Sequence, residues 1–292
     1  MLARILFLLS CSSPDLQTGN STHPNTFSDA LVNILQDKLG VPLWIRIGGT
    51  SADQDHYNSS QKAAVVRPNP PIEGHGLWGY SIGDLYFDAL LNFKKSKFIW
   101  MIPMAYPSGK IHLGQDALIQ SRKAIQKIGT KLAMLELGNE PNLYIGQKVR
   151  GANYNVAQYV KEALQHHDDV EGNFTSLPED IKYQTLVYAS NVDQSVWNTE
   201  KAFNAGINAN GMVGSVSWHY YQSVTDAGVT LGKTLMVRFP VSSQKLLLTK
   251  SRTTPIPSQS SRASFLRSVI CTTVTQISNS SWVRWAASSA PV

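Results

Sequence analysis

Residues 227–292 contain neither aspartate nor glutamate. All 20 acidic residues lie in residues 1–226, beside 18 of the 26 Lys and Arg, so the formal charge of +6 is generated entirely by the last stretch. Its basic residues stand singly among Ser and Thr, without the clusters or amphipathic spacing of a nucleic-acid or membrane-surface segment, and no nucleic-acid partner is expected. Cysteine is scarce. Cys11 and Cys271 are too few for a disulfide framework and have no metal-ligand spacing, so neither a stapled mini-fold nor a metal centre is expected. No apolar run reaches 18 residues, which argues against a membrane helix. A phosphate-cradling G-x-x-x-x-G-K-[ST] loop and a G-x-S-x-G nucleophile elbow are also missing, and no cofactor is implied.

What is present describes a globular protein: 42% hydrophobic residues, 16% charged, and seven Trp with eleven Tyr. Flat aromatic faces with polar tips suit sugars, although they fill cores equally well. The start, Met1 to Cys11, reads two ways, as a weak secretory signal or as a remnant strand. N-glycosylation triplets at Asn20, Asn58, Asn173 and Asn279 fit a secreted glycoprotein.

From about residue 26 strands alternate with helices, the pattern of a parallel sheet. Helices are predicted at Phe27–Leu39 (ending on Gly40, a C-cap residue), Asp84–Phe93, Ala117–Ile128, Val156–His166 and around Ser195–Ala205. Strands are predicted at Val41–Ile47, Lys97–Met104, Lys131–Leu137, Lys182–Ser190 and Val213–Tyr221. Polar residues gather at the C-terminal ends of these strands, where barrel active sites are built, which favours a (β/α)8 TIM barrel over an open doubly wound sheet. The alternation fades after about residue 235. The chain therefore divides into an N-terminal segment (1–25), a partial barrel (26–235) and an irregular basic tail (236–292), with no clear seventh and eighth strands.

The chemistry centres on Leu137-Gly138-Asn139-Glu140-Pro141. A hydrophobic strand runs into this turn, which places Glu140 at the strand's C-terminal end and lets Pro141 fix the exit. A carboxylic acid that protonates a glycosidic oxygen must be held rigidly and partly desolvated. Asn139 beside it can bond a sugar hydroxyl or the carboxyl itself. The bland alternative is a solvent-exposed turn. Strand alternation puts Glu136, Gly138 and Glu140 on one face, and Trp44, Arg46 and Gly48 on one face of the first strand. Arg46 and Glu136 then become buried charges that need partners and can pair with each other. Arg46 can alternatively anchor a substrate carboxylate with its planar fork. His219 and Tyr221 end another strand, Tyr106 follows the second, and Gly49 lets backbone approach a sugar. Each of these also has an ordinary packing role open to it.

The segments Arg46-Ile47-Gly48-Gly49-Thr50-Ser51-Ala52-Asp53, Gly138-Asn139-Glu140-Pro141 and Ser217-Trp218-His219-Tyr220-Tyr221 together resemble glycoside hydrolase family 79, in its fungal β-glucuronidase-like, heparanase-related branch. His23-Pro24-Asn25-Thr26-Phe27-Ser28 resembles the same branch, and the likeness covers roughly residues 17–235. The resemblance implies a retaining, secreted hydrolase acting on glucuronosyl glycans, built as a (β/α)8 barrel with a small β-sandwich. It matches Glu140 to the acid/base, and Arg46, Asn139, His219 and the nearby tyrosines to substrate-contacting or structural positions. It also implies a nucleophilic Glu after the His-Tyr-Tyr segment, where this chain has no acidic residue beyond Asp226. The β-sandwich has no counterpart either. A tail of this composition is expected from a shifted reading frame or a retained intron, and the chain is expected to lack the nucleophile.

Overall fold

The computed structural model describes residues 8–11, 23–53, 55–66, 80–105, 112–175, 177–178, 181–188, 193, 195–219 and 272–275. Seven strands form one sheet: β1 (Leu8–Cys11), β2 (Trp44–Ile47), β6 (Lys97–Ile102), β7 (Leu132–Leu137), β8 (Tyr183–Tyr188), β9 (Val213–His219) and β10 (Thr272–Thr275), hydrogen-bonded in that order. The pairings from β1 to β9 are parallel, and β10 runs antiparallel along β9. The mainly parallel α/β layout is as the alternating pattern requires. The described strands do not amount to a closed (β/α)8 barrel.

Several boundaries differ from the sequence pattern. Strand β2, expected from Val41, starts at Trp44, and Val41 and Pro42 lie exposed in the connection from the preceding helix. Helix α1 (Thr26–Leu39) is capped by the Asn25 side chain, which accepts from Ser28 N–H, and closed by Gly40 at φ 66°. Asp84–Phe93 splits into α2 (Asp84–Ala89) and a 3-10 turn, Leu90–Asn92. Helix α3 spans Gln115–Ile128. The next helix, α4 (Val156–Asn173), runs seven residues past His166, beginning in a capping box of Asn155 and Gln158. Helix α5 is Thr199–Asn204. A second sheet of two-residue strands, β3 (His56–Tyr57), β4 (Val65–Val66) and β5 (Ser81–Ile82), follows β2 and carries no periodic signal of its own. Within the tail read as irregular, Thr272–Thr275 is a strand, and the rest of residues 220–292 lies outside the described residues. No described helix is long and apolar enough to cross a membrane.

The two faces of the large sheet have different chemistry. One face presents Ile45 and Ile47 from β2, Phe98, Trp100 and Ile102 from β6, and Leu135 and Leu137 from β7, all buried in the main core with Val32, Leu118, Ala124 and Val160 of the helices. Removing this apolar area from water is the principal stabilising effect. The opposite face starts with a small apolar layer of Trp44, Ile99 and Met134. Registers Arg46↔Ile99, Met101↔Glu136, Glu136↔Gln184 and Gln184↔Ser215 then bring a polar layer onto neighbouring strands. Buried polar residues at this level demand partners. Their partners lead to the site.

Candidate functional site

Glu136, the penultimate residue of β7, is fully buried and takes two donors. Arg46 Nε donates to its Oε1 at 2.6 Å and Gln184 Nε2 donates to its Oε2. Gln184 Oε1 in turn accepts from Ser215 Oγ at 3.1 Å. The pairing anticipated between Arg46 and Glu136 is therefore present, and Arg46 is only 1% exposed. Its Nη2 turns upward and donates to Asn139 Oδ1 at 2.9 Å. Arg46 reaches the top of the site through Asn139, held beneath the surface.

Asn139 distributes its remaining bonds across the turn. Its Nδ2 donates to Thr50 Oγ1 at 3.2 Å and more weakly to Glu140 Oε2 at 3.4 Å. Glu140 Oε1 lies 2.8 Å from His219 Nδ1, with both side chains almost wholly buried. An ionised carboxylate can only accept, so in that state the imidazole donates its Nδ1–H. The strand-end turn of β7 and the end of β9 thus bring Glu140, Asn139 and His219 together.

The turn has an unusual backbone. Glu140 is left-handed (φ 48°, ψ 55°), rare for a residue with a side chain. Gly138, also left-handed at φ 69°, lies so close to Met104 and Tyr144 that a Cβ would come within 2.8 Å of Met104 Sδ. Pro141 opens a 3-10 turn, Pro141–Leu143, that carries the chain away. Gly49, half-buried with φ 117°, passes its N–H to Met101 Sδ at 3.5 Å. Tyr106 and Tyr221 lie outside the described residues, as do Tyr220 and Asp226.

Sequence reasoning missed the residues that hold the turn. Asp53, 1% exposed, accepts at Oδ1 from Met104 N–H (2.7 Å) and Ala105 N–H (3.2 Å). Its Oδ2 accepts from Tyr144 OH (2.5 Å) and Asn139 N–H (3.3 Å). Burial pushes its carboxyl up from 3.8 to about 6 against the pull of these four donors. The same burial, with Asp53 opposite, raises the Tyr144 hydroxyl. From the other side, Arg150 donates to the carbonyls of Met104 (2.8 Å) and Ala105 (3.1 Å) while pairing with Glu162 (3.1 Å). The end of β6 is gripped at its amides by Asp53 and at its carbonyls by Arg150. The only hint in the sequence was that Asp53 closes the Arg46–Asp53 motif. Tyr144 and Arg150 gave none, since they meet Asp53 and β6 only after folding.

Among the described residues no group of three or more His, Cys, Asp or Glu is placed to hold a metal ion. The arrangement sets one carboxyl, Glu140, in a buried polar setting with a histidine and an amide beside it. That is suited to proton transfer onto or from a bound oxygen.

No family model matches the chain. It is 29% identical over 238 residues to a β-glucuronidase from Neurospora crassa, covering 77% of this chain and 42% of the relative. It is 31% identical over 238 residues to a β-glucuronidase from Aspergillus niger, covering 76% and 42%. Its fold is similar to that of a 4-O-α-L-rhamnosyl-β-D-glucuronidase from Fusarium oxysporum, with a TM-score of 0.56, 18% identity, and coverage of 75% of this chain and 45% of that one. The chain is thus similar in sequence to fungal β-glucuronidases and spans less than half the length of these curated relatives.

Proposed function

We propose that this chain carries the acid/base half of a glucuronidase-type glycoside hydrolase site, with glucuronosyl glycans as its substrate class. The observation that carries the reading is the buried Glu140–His219 contact of 2.8 Å at the C-terminal ends of two strands of one parallel sheet. Similarity to two fungal β-glucuronidases over about three quarters of the chain supports it. On this reading Glu140 protonates the glycosidic oxygen, Asn139 and His219 set its orientation, and Gly49 lets the backbone approach the sugar. The strands belong to a (β/α)8 barrel of glycoside hydrolase family 79, and the protein works outside the cell. No metal or cofactor takes part.

A retaining mechanism needs a second carboxylate about 5–5.5 Å from the first. Residues 227–292 supply none, and Glu136 is committed to Arg46 and Gln184. The chain as written therefore binds a glucuronide without turning it over at a useful rate. The test is to express residues 1–292 and assay an aryl β-glucuronide beside a Glu140→Gln control. Release at the control's level supports the reading; release well above it returns the search for a nucleophile to Asp226 and Glu136.

A further inference from the structure

We propose that Asp53 is the positioning residue of this site, fixing the Asn139–Glu140 turn against the ends of β2 and β6 so that Glu140 meets His219. This deepens the reading above and rests on it for the identity of the bound sugar. Three observations carry it. First, the four donors on Asp53 come from two other strand ends, Met104 and Ala105 after β6, Asn139 and Tyr144 after β7. Asp53 itself closes the loop after β2, its own N–H bonded to Gly49 carbonyl at 2.9 Å. One carboxylate thus ties three segments that sequence keeps apart. Second, the residue after Asn139, Glu140, has left-handed backbone although it carries a side chain. Such a conformation persists only where its surroundings over-determine it, and the Asn139 N–H bond to Asp53 holds the residue immediately before it. Third, all four contacts are N–H or O–H donors, which only a group accepting on both atoms can satisfy. An asparagine would turn an NH2 toward at least one of them. A carboxylate is retained here although burial works against its charge.

The groups around Asp53 that can titrate or carry charge are Tyr144, which bonds it, Asp55, which feels its charge from the same loop, and Arg150, which bonds the Met104 and Ala105 carbonyls and lies over the Tyr144 ring. Arg46 and Glu140 connect through Asn139, and His219 through Glu140. Protonating Oδ2 would replace an acceptor by a donor facing Tyr144 OH and Asn139 N–H. The turn would then loosen while the rest of the fold stays.

Two measurements on the full chain test this. In 15N-labelled protein, the amides of Met104, Ala105 and Asn139 are followed with pH, together with the His219 ring nitrogens. In parallel, binding of phenyl 1-thio-β-D-glucuronide is titrated at pH 5 and 7 for wild type, Asp53→Asn, Tyr144→Phe and Glu140→Gln. The proposal expects the three amides to inflect together near pH 6 and the inflection to vanish in Asp53→Asn. It also expects that variant to change the His219 Nδ1 signal and to bind at least tenfold more weakly at pH 7. Tyr144→Phe should move the common inflection to higher pH, since the lost hydrogen bond favoured the ionised form. Amides that titrate independently, or an Asp53→Asn protein with wild-type His219 signals, would overturn it. If the amides and His219 behave as expected but the thioglucuronide binds no variant, wild type included, the positioning role stands and the sugar reading falls.

Discussion

Arg46 and Glu136 form a buried ion pair across β6, with Nη2 and Oε1 2.5 Å apart and both side chains within 1% of complete burial. Such a pair is costly to assemble and far more costly to break, because a lone charge is left in the interior. Arg46→Met should therefore destabilise the protein by about 3–5 kcal/mol. Arg46→Met combined with Glu136→Gln should recover part of that loss, since the neutral amide needs no counter-charge. Urea denaturation of both variants checks this. A cost below about 1 kcal/mol for Arg46→Met would show that the pair is solvated in solution.

Gly138 and Gly40 both have left-handed backbone, at φ 69° and 66°, but in different surroundings. A Cβ at Gly40 would meet nothing within 4 Å, whereas at Gly138 it would meet Met104 Sδ at 2.8 Å and Tyr144 OH at 2.9 Å. Gly40→Ala should cost about 1 kcal/mol, the ordinary penalty for that conformation. Gly138→Ala adds overpacking of about 1–3 kcal/mol and should displace the turn that bears Glu140. Thermal melts of the two variants give the comparison, and equal costs would contradict the close packing around Gly138.

Asp53 gives a pH dependence of definite sign. Its folded value of about 6 lies above the ordinary 3.8, so between these pH values the folded state holds more of its proton than the unfolded state. Its contribution is fully present below about pH 4 and is lost as pH rises through about 6, a swing of about 3 kcal/mol. The stability of wild type relative to Asp53→Asn should fall over that window and level off above it. Denaturant midpoints at half-unit pH steps measure the difference. A difference that rises with pH would mean that the four donors outweigh burial.

Much of the fold could be read from the sequence because it rests on local rules. Phe27–Leu39 with Gly40 behind it announced α1, and a hydrophobic run ending in Gly-Asn-Glu-Pro announced β7 and the turn that bears Glu140. Alternation along strands was enough to place Arg46 and Glu136 on a shared face and expect their pairing. The two-residue strands β3 to β5 were invisible, since so short a segment has no period. The end of α4 was set too early because His166 and Val170 continue its buried face behind an acidic stretch, Asp168 and Asp169. Asp53 was quoted within a motif but given no task, as its role depends on donors 51 to 91 residues away.

The central claim is that the Glu140–His219 site binds glucuronides, and calorimetry with phenyl 1-thio-β-D-glucuronide at pH 7 tests it most directly. The account predicts saturable binding by wild type, loss of at least tenfold in affinity for Glu140→Gln and for His219→Ala, and much weaker binding of the corresponding thioglucoside, which lacks the carboxylate. Equal affinity across wild type and both variants, or equal affinity for the glucoside, would contradict it.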